Sequence, residues 1–244
     1  MNLYRMLAAR AEENRPVRVG LIGAGKFGTM YLAQVRTTAG VHLAGLADLD
    51  PSGAQARLAT AGWEPERWGA QSMSDALSNG TTFITDDAEQ VINCAEIDVI
   101  VEATGIPNAG IRHCRGAIAA GHHVIMVTVE ADVIAGPLLA QEAEKEGVVY
   151  SLAWGDQPAL ITEHVDWART CGFDVVAAGK GTRYHPDYHA LTPDTVWDVL
   201  QQYLKIANPE TINLKMFNSF LDGSKSGIEM TAVCNATGLV PQSN

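Results

Sequence analysis

The sequence predicts an α/β protein: a doubly wound parallel sheet followed by a smaller α+β region. Three observations predict it. Apolar runs rich in β-branched residues recur at 17–22 (VRVGLI), 41–47 (VHLAGLA), 97–105 (IDVIVEATG) and 122–129 (HHVIMVTV). Such runs suit strands buried on both faces, as in parallel sheets. Stretches of helical length separate them, the rhythm of βαβ units. Glycines 23, 25 and 28 follow the first run directly and open a helical stretch.

Taken in order, residues 2–13 read as a leading helix that Pro16 stops. The first strand and the glycine-rich turn lead to helical TMYLAQVRTT, and the second strand ends at Asp48 before helical PSGAQARLAT. Residues 62–80 are polar, carry Trp63 and Trp68, and read as a loop or insertion. Strand-like 81–85 precedes a helix at 86–95. A helix over 108–120 separates the third and fourth strong strands, and a helix around 136–146 precedes a strand at 148–153. The first domain is thus expected over 1–155. After Asp156 the rhythm changes. A helix at 157–171, a strand at 173–179, an irregular stretch over 180–193, a helix at 195–207 and one long helix over 219–238 are expected within 156–244. No closing strand pattern follows, so the chain reads as the N-terminal portion of something longer or as having an unusually small second domain.

Composition excludes several classes. With 47% hydrophobic and 18% charged residues the chain is globular rather than disordered. A formal charge of −11 repels phosphate backbones and anionic headgroups, so a small molecule is the expected partner and neither nucleic acid nor membrane is. The four cysteines lack CxxC spacing and read as reduced thiols. No apolar run reaches the ~18 residues of a bilayer span and the N-terminus lacks a signal-peptide core, so a cytoplasmic location is expected.

The strongest chemical signal is Gly23-Ala24-Gly25-Lys26-Phe27-Gly28. A GxGxxG alone is weak, but here it follows a strand, opens a helix, and Asp48 ends the next strand 20 residues after Gly28. Gly23 permits the tight turn, Gly25 lets backbone approach a pyrophosphate, and Gly28 lets helix and strand pack. The helix N-terminus then holds the phosphates. This is the pattern of a Rossmann dinucleotide-binding domain. The alternative is a glycine-rich turn that binds nothing. Asp48 would accept the adenosine ribose hydroxyls, which favours NAD(H) over NADP(H). The ends of later strands carry Glu102-Ala103-Thr104-Gly105, then Thr128 to Asp132, then Trp154 to Gln157. Ligands sit at the carboxyl ends of strands in such sheets. Ala103, Thr104, Gly105 and Glu130 are therefore cofactor candidates, and Glu102, Glu130 and Asp156 could converge near the nicotinamide. The alternative for each carboxylate is a solvated strand end or a helix cap.

Two constellations lie in the second half. Asp222, Lys225 and Glu229 fall three and four residues apart, which places them on one face of a helix. The bland reading is a surface ion ladder. The apolar flanks Phe220, Leu221, Ile228 and Val233 argue for burial, where a charge needs a partner or a purpose. Lys180 and Arg183, among glycines after a strand, could hold a substrate phosphate or carboxylate, or form a solvated basic loop.

The segments RPVRVGLIGAGKFG, DVIVEATG, VEADVIAGPLLAQEA, VVYSLAWGDQPALI, AAGKGTRYHPDYH and MFNSFLDGSKSGIEM together resemble a bacterial oxidoreductase family described as homoserine dehydrogenase-like, and within it a branch described as DXP reductoisomerase-like. The resemblance implies an N-terminal Rossmann domain, a following catalytic and dimerisation region, and a chain that usually extends past residue 244. The apolar late strands and helix have few places to pack if the chain is a portion of something longer, so a homodimer is expected. For the branch it implies conversion of 1-deoxy-D-xylulose 5-phosphate to 2-C-methyl-D-erythritol 4-phosphate, a step of isoprenoid biosynthesis, with NADPH and a divalent cation, Mg2+ or Mn2+. By motif position it implies Asp156 as a first metal carboxylate, and Lys225 and Glu229 as a Lys and a Glu on one helix. Asp156 and Glu229 would then hold either a divalent metal or the Lys225 ammonium, and Asp222 joins the catalytic candidates by its spacing on the same face. Its NADPH preference conflicts with the reading of Asp48, so NADP(H) and NAD(H) are both expected as cofactors, with the resemblance weighted slightly more. Homoserine dehydrogenase-type hydride transfer on an unphosphorylated substrate is the nearest alternative. A cofactor-binding regulatory protein without turnover is the alternative from another class.

Overall fold

A computed structural model of the protein describes residues 2–203 and 212–242. The chain divides into two compact units, Met1–Ala153 and Trp154–Asn244.

The first unit runs α1 (Leu3–Glu12), β1 (Val17–Ile22), α2 (Lys26–Val35), β2 (Val41–Ala47), α3 (Pro51–Thr60), α4 (Met73–Asn79), β3 (Phe83–Thr85), α5 (Ala88–Ile92), β4 (Val99–Glu102), α6 (Pro107–Ala119), β5 (His123–Met126), α7 (Val129–Glu146) and β6 (Tyr150–Leu152). The strands form one parallel sheet in the order β3-β2-β1-β4-β5-β6. The chain builds outward from β1 to β3 and then returns to the other side of β1. That reversal leaves a crevice at the carboxyl ends of β1 and β4.

Successive strand residues feed opposite faces. Leu21, Leu43, Leu46 and Val101 join Leu32 and Leu58 in one apolar cluster. Ile22, Ile100, Val124 and Met126 join Ile92, Cys114 and Leu139 in the other. Both faces are covered, so the strands read as unbroken apolar runs rather than as alternation. Each such side chain contributes about 1.5–3 kcal/mol by leaving water. Burial also pushes the Cys114 thiol up to about 12, which keeps it inert.

Two expectations are corrected in this unit. The stretch 62–80 is not a loop. Trp63 is core, 7% exposed, and its Nε1 donates to the Leu32 carbonyl at 2.9 Å. α4 follows, capped by the Ser72 side chain at its start and by left-handed Gly80 at its end. It buries Ala76 alone, too little to leave an apolar stripe in the sequence. α7 begins at Val129, well before residue 136, with Glu130 and Asp132 in its first turn, where carboxylates suit the helix dipole.

The second unit comprises α8 (Gln157–Thr170), α9 (Val196–Leu200), α10 (Leu214–Leu221) and α11 (Ser224–Thr237) among the described residues, with α11 packed along α8. The expected strand over 173–179 does not form. An extended segment needs a neighbour for its N–H and C=O groups, and the described residues of this unit supply no strand. Phe173 and Val176 are accordingly 62% and 95% exposed. The helix expected over 195–207 ends at Leu200, and residues 204–207 lie outside the described residues. The long helix expected over 219–238 is two helices. Gly223 adopts φ 88°, a left-handed conformation that ends α10 and starts α11. Apolar spacing runs through the break, so periodicity alone could not reveal it. Among the described residues no helix is long and apolar enough to cross a membrane.

Candidate functional site

Within the first unit, β1 ends at Ile22 and α2 begins at Lys26, so the chain turns within three glycine-rich positions. Gly23 has φ 97°, and a Cβ there would stand 2.7 Å from the Ala103 carbonyl. A Cβ on Gly28, which is buried, would stand 2.4 Å from the Gly23 carbonyl oxygen. Gly25 differs: nothing lies within 4 Å of its Cβ position. It is the N-cap of α2 and offers no side-chain cap. The first N–H groups of that helix face open space that a side chain would fill. A pyrophosphate fits such a cradle. Lys26 and Phe27 are exposed in the first turn of α2.

At the carboxyl ends of the strands a cavity of 490 Å³ is lined by Gly23, Gly25, Asp48, Asp87, Thr104 and Arg112, among others. Asp48 closes its β2 side. One carboxylate oxygen accepts the Ala24 N–H at 2.7 Å and the other the Asp50 N–H at 3.0 Å. The carboxylate is thereby tied to the glycine turn, with lone pairs left for ribose hydroxyls. Asp86 and Glu89 line the same cavity, so its wall is acidic. Asp50 itself caps α3; the Gly53 N–H and the Ser52 hydroxyl hold its carboxyl below the usual range.

Of the carboxylates singled out at strand ends, the two in this unit, Glu102 and Glu130, do not line this cavity. Glu102 is fully buried. It accepts the hydroxyls of Thr104 and Thr128 and, at 3.3 Å, the Thr104 N–H, with His113 Nδ1 at 3.5 Å. The Gly105 N–H donates to Thr128 Oγ1 at 3.0 Å. Glu102 thus anchors the loop Ala103-Thr104-Gly105 from below. Glu130 is half-buried in the first turn of α7. Asp132 is 4% exposed and accepts the Tyr150 hydroxyl at 2.7 Å; burial raises its pKa.

In the second unit the expected helix face is rearranged. Asp222 follows α10 instead of sharing a helix with Lys225. Its carboxylate accepts Asn218 Nδ2 and the Ser224 N–H, both at 2.8 Å, and so forms the corner between α10 and α11. Glu229, on α11, is buried and pairs with Lys180, 49 residues away. Lys225 is half-buried one helical turn before Glu229. Asp156 is the N-cap of α8 and accepts the Gln157 N–H at 2.9 Å. Arg183 lies 3.8 Å over the Tyr203 ring, whose hydroxyl meets that of Tyr188 at 2.9 Å. A divalent cation does not fit this arrangement. Glu229 is committed to Lys180, and the described residues gather no group of three His, Cys, Asp or Glu side chains that could hold a metal ion.

Sequence reasoning missed two kinds of residue. Arg112 and His113 line the first unit's cavity together with Ala109. Their i+3 and i+4 spacing along α6 was the available signal. Asn218 is buried and bridges Asp222 and the Leu191 carbonyl. A lone amide inside the apolar run MFNSF was its only trace.

Residues 17–153 match the family described as "Oxidoreductase family, NAD-binding Rossmann fold". Residues 155–244 match "Oxidoreductase DRL, catalytic domain". No curated protein gives a significant match. Among solved structures, an NAD binding oxidoreductase from Klebsiella pneumoniae is similar at 21% identity, covering 64% of this chain and 39% of that one, with a TM-score of 0.46. A homoserine dehydrogenase from Thiobacillus denitrificans is similar at 19% identity over 64% of this chain and 34% of that one, TM-score 0.48. Myo-inositol dehydrogenase from Lactobacillus casei, in complex with NAD(H) and myo-inositol, is similar at 14% identity over 63% and 42%, TM-score 0.46. This chain spans only 34–42% of the length of those structures.

Proposed function

The chain belongs to the oxidoreductase family with an NAD-binding Rossmann fold, and on that premise we propose that it reduces the carbonyl of a small phosphorylated hydroxyketone with NAD(P)H. The observation that carries the cofactor part is the open cradle at Gly25 beside Asp48. The match of 155–244 to the DRL catalytic domain supports the substrate class, and 1-deoxy-D-xylulose 5-phosphate is the substrate to test.

When bound, a nicotinamide dinucleotide supplies the hydride. Gly23, Gly25 and the head of α2 bind its phosphates, with Lys26 and Phe27 in the same turn. Asp48 takes ribose hydroxyls, and Ala103, Thr104 and Gly105 border the crevice. Asp48, Asp86, Asp87 and Glu89 form an acidic wall that disfavours a 2′-phosphate, so NADH is the better donor. As the carbon accepts hydride, the carbonyl π pair moves onto oxygen. The Lys225 ammonium gives that oxygen a proton, leaving an alcohol and a neutral amine. A cation placed there stabilises the transition state more than the ground state. Glu229 positions Lys180 as a second cation, and Arg183, braced on Tyr203, binds the substrate phosphate. A subunit partner, a second copy of this chain, belongs to the same proposal.

The test is NADH and NADPH oxidation by the full chain with 1-deoxy-D-xylulose 5-phosphate. Lys225→Ala should lose about 100-fold or more in turnover with nucleotide affinity unchanged. Arg183→Ala should raise KM by about tenfold with kcat retained. Full turnover in Lys225→Ala would sink the catalytic assignment. Consumption of NADH with an unphosphorylated ketone only would sink the substrate class and leave the cofactor site standing.

A further inference from the structure

The amino-terminal ends of β1 and β2 carry a cluster that none of this chemistry uses. β1 and β2 pair in parallel with Arg18 beside His42 at their amino-terminal ends, so the two side chains share one face of the sheet. Arg36 follows the end of α2, and Arg67 ends the short turn Pro65–Arg67. These four residues line one cavity of 600 Å³, together with Trp63 and the loop before β2. The walls are held from behind. The Thr82 N–H donates to the Arg67 carbonyl at 2.8 Å, and His42 Nε2 donates to the Thr81 carbonyl at 2.7 Å. The Arg67 guanidinium lies 6.0 Å from the centroid of the buried Trp63 ring.

The charge balance is unusual for this chain. Its net charge is −11, yet three arginines line this cavity and, among the described residues, no Asp or Glu does. Among the described residues none of the three guanidiniums pairs with a carboxylate. The neighbouring Asp98 accepts the Arg18 backbone N–H instead, at 2.7 Å. Converging cations repel one another unless an anion joins them. Burial first, and then the charges of Arg18 and Arg67, hold the His42 imidazole below its usual pKa, against the hydrogen bond to Thr81. With the Nε2 proton given to Thr81, a neutral His42 keeps Nδ1 as an acceptor, suited to a hydroxyl rather than to a phosphate oxygen. Guanidinium forks match a tetrahedral dianion.

We propose that this cavity is a second ligand site, for a small hydroxylated phosphate monoester held by Arg18, Arg36 and Arg67 with His42 on a hydroxyl. It lies at the amino-terminal ends of β1 and β2, the opposite strand ends from the glycine cradle. Arg18 lies in β1 and Gly23 directly follows its end, five positions on, roughly 17 Å at ~3.3 Å per residue. The site is therefore independent of the cofactor and of the reading of the second unit.

The experiment titrates the full chain with ribose 5-phosphate at about 50 mM salt, by calorimetry and by tryptophan emission, since Trp63 lines the cavity. Saturable binding is expected, with ribose inert and inorganic phosphate weaker than the ester. Arg36 and Arg67 are exposed, so Arg36→Ala/Arg67→Ala should fold. It should bind the ester at least about tenfold more weakly while titrating normally with NADH. Gly25→Val should do the reverse, losing NADH and keeping the ester. Absence of saturation up to about 20 mM overturns the site, as does equal affinity in the double arginine variant. Displacement of the ester by NADH would place it in the cofactor cradle and overturn the proposal too. Inorganic phosphate binding as tightly as the ester would overturn the ester class.

Discussion

In the first unit's glycine cradle the groups turned toward open space are backbone N–H groups at the head of α2, exposed because Gly25 has no side chain. In the second unit the proposed groups are long charged side chains, and an ion pair joins half-buried Lys180 to buried Glu229 across 49 residues of sequence. The first arrangement costs little to keep empty: its donors face solvent, and its glycines are set by contacts with neighbouring backbone. The second is held by desolvated charges, and each member depends on its partner. A ligand site made of backbone can therefore lose function without losing stability, whereas a site made of buried charges loses both together.

The sharpest test of that contrast is Glu229→Ala. Removing Glu229 leaves the half-buried Lys180 ammonium uncompensated, and a loss of about 3 kcal/mol, the low end for a buried pair, is expected in urea denaturation. Lys180→Met/Glu229→Leu should recover most of it, because an apolar pair of similar volume pays no desolvation cost. If Glu229→Ala is as stable as wild type, the contrast between the two regions collapses.

Next in size come two valine substitutions within one motif. Gly28→Val places a Cβ 2.4 Å from the Gly23 carbonyl oxygen, so about 1–3 kcal/mol of stability should go along with nucleotide binding. Gly25→Val meets nothing within 4 Å and should stay within about 0.5 kcal/mol of wild type while NADH fluorescence titration shows no binding. Equal stability losses in the two variants would show that the cradle is not merely a surface feature. A smaller effect belongs to Trp63→Phe. It strands the buried Leu32 carbonyl and should cost about 1 kcal/mol with NADH affinity unchanged.

The smallest effect concerns pH. Burial raises the Asp132 pKa above the ordinary 3.8, with the Tyr150 hydroxyl acting in the opposite direction. The folded state thus holds this proton more tightly than the unfolded state. The stability it contributes is complete below the ordinary value and is lost as pH rises through the raised one. Asp132→Asn should flatten the stability profile over that window. Tyr150→Phe should extend the loss to higher pH, and an unchanged profile in both would remove Asp132 from the account.

The boundaries of β1, β2, α3 and α8 were legible to within a residue or two, because buried parallel strands are unbroken apolar runs and because Pro51 and Asp156 mark helix starts. The order of Gly23, Gly25, Gly28 and Asp48 made the cradle legible as well. α4 was hidden because it buries one alanine, and the break at Gly223 because apolar spacing crosses it. The strand expected at 173–179 failed for a different reason: its residues have strand character, but a strand exists only with a neighbour.

By itself the sequence determined what depends on residues close along the chain: the strand–turn–helix at 17–35, the capping residues, and the glycines whose missing side chains shape the turn. Only the tertiary structure decided what depends on residues brought together from afar. It turned Glu102 from a ligand candidate into the buried anchor of the 103–105 loop, gave Glu229 to Lys180 instead of a metal, and set Arg18 beside His42, Arg36 and Arg67 around one cavity. Local rules count spacing along one element, but the energy of a charge depends on how deeply it is buried and on which charges surround it, and spacing along the chain determines neither.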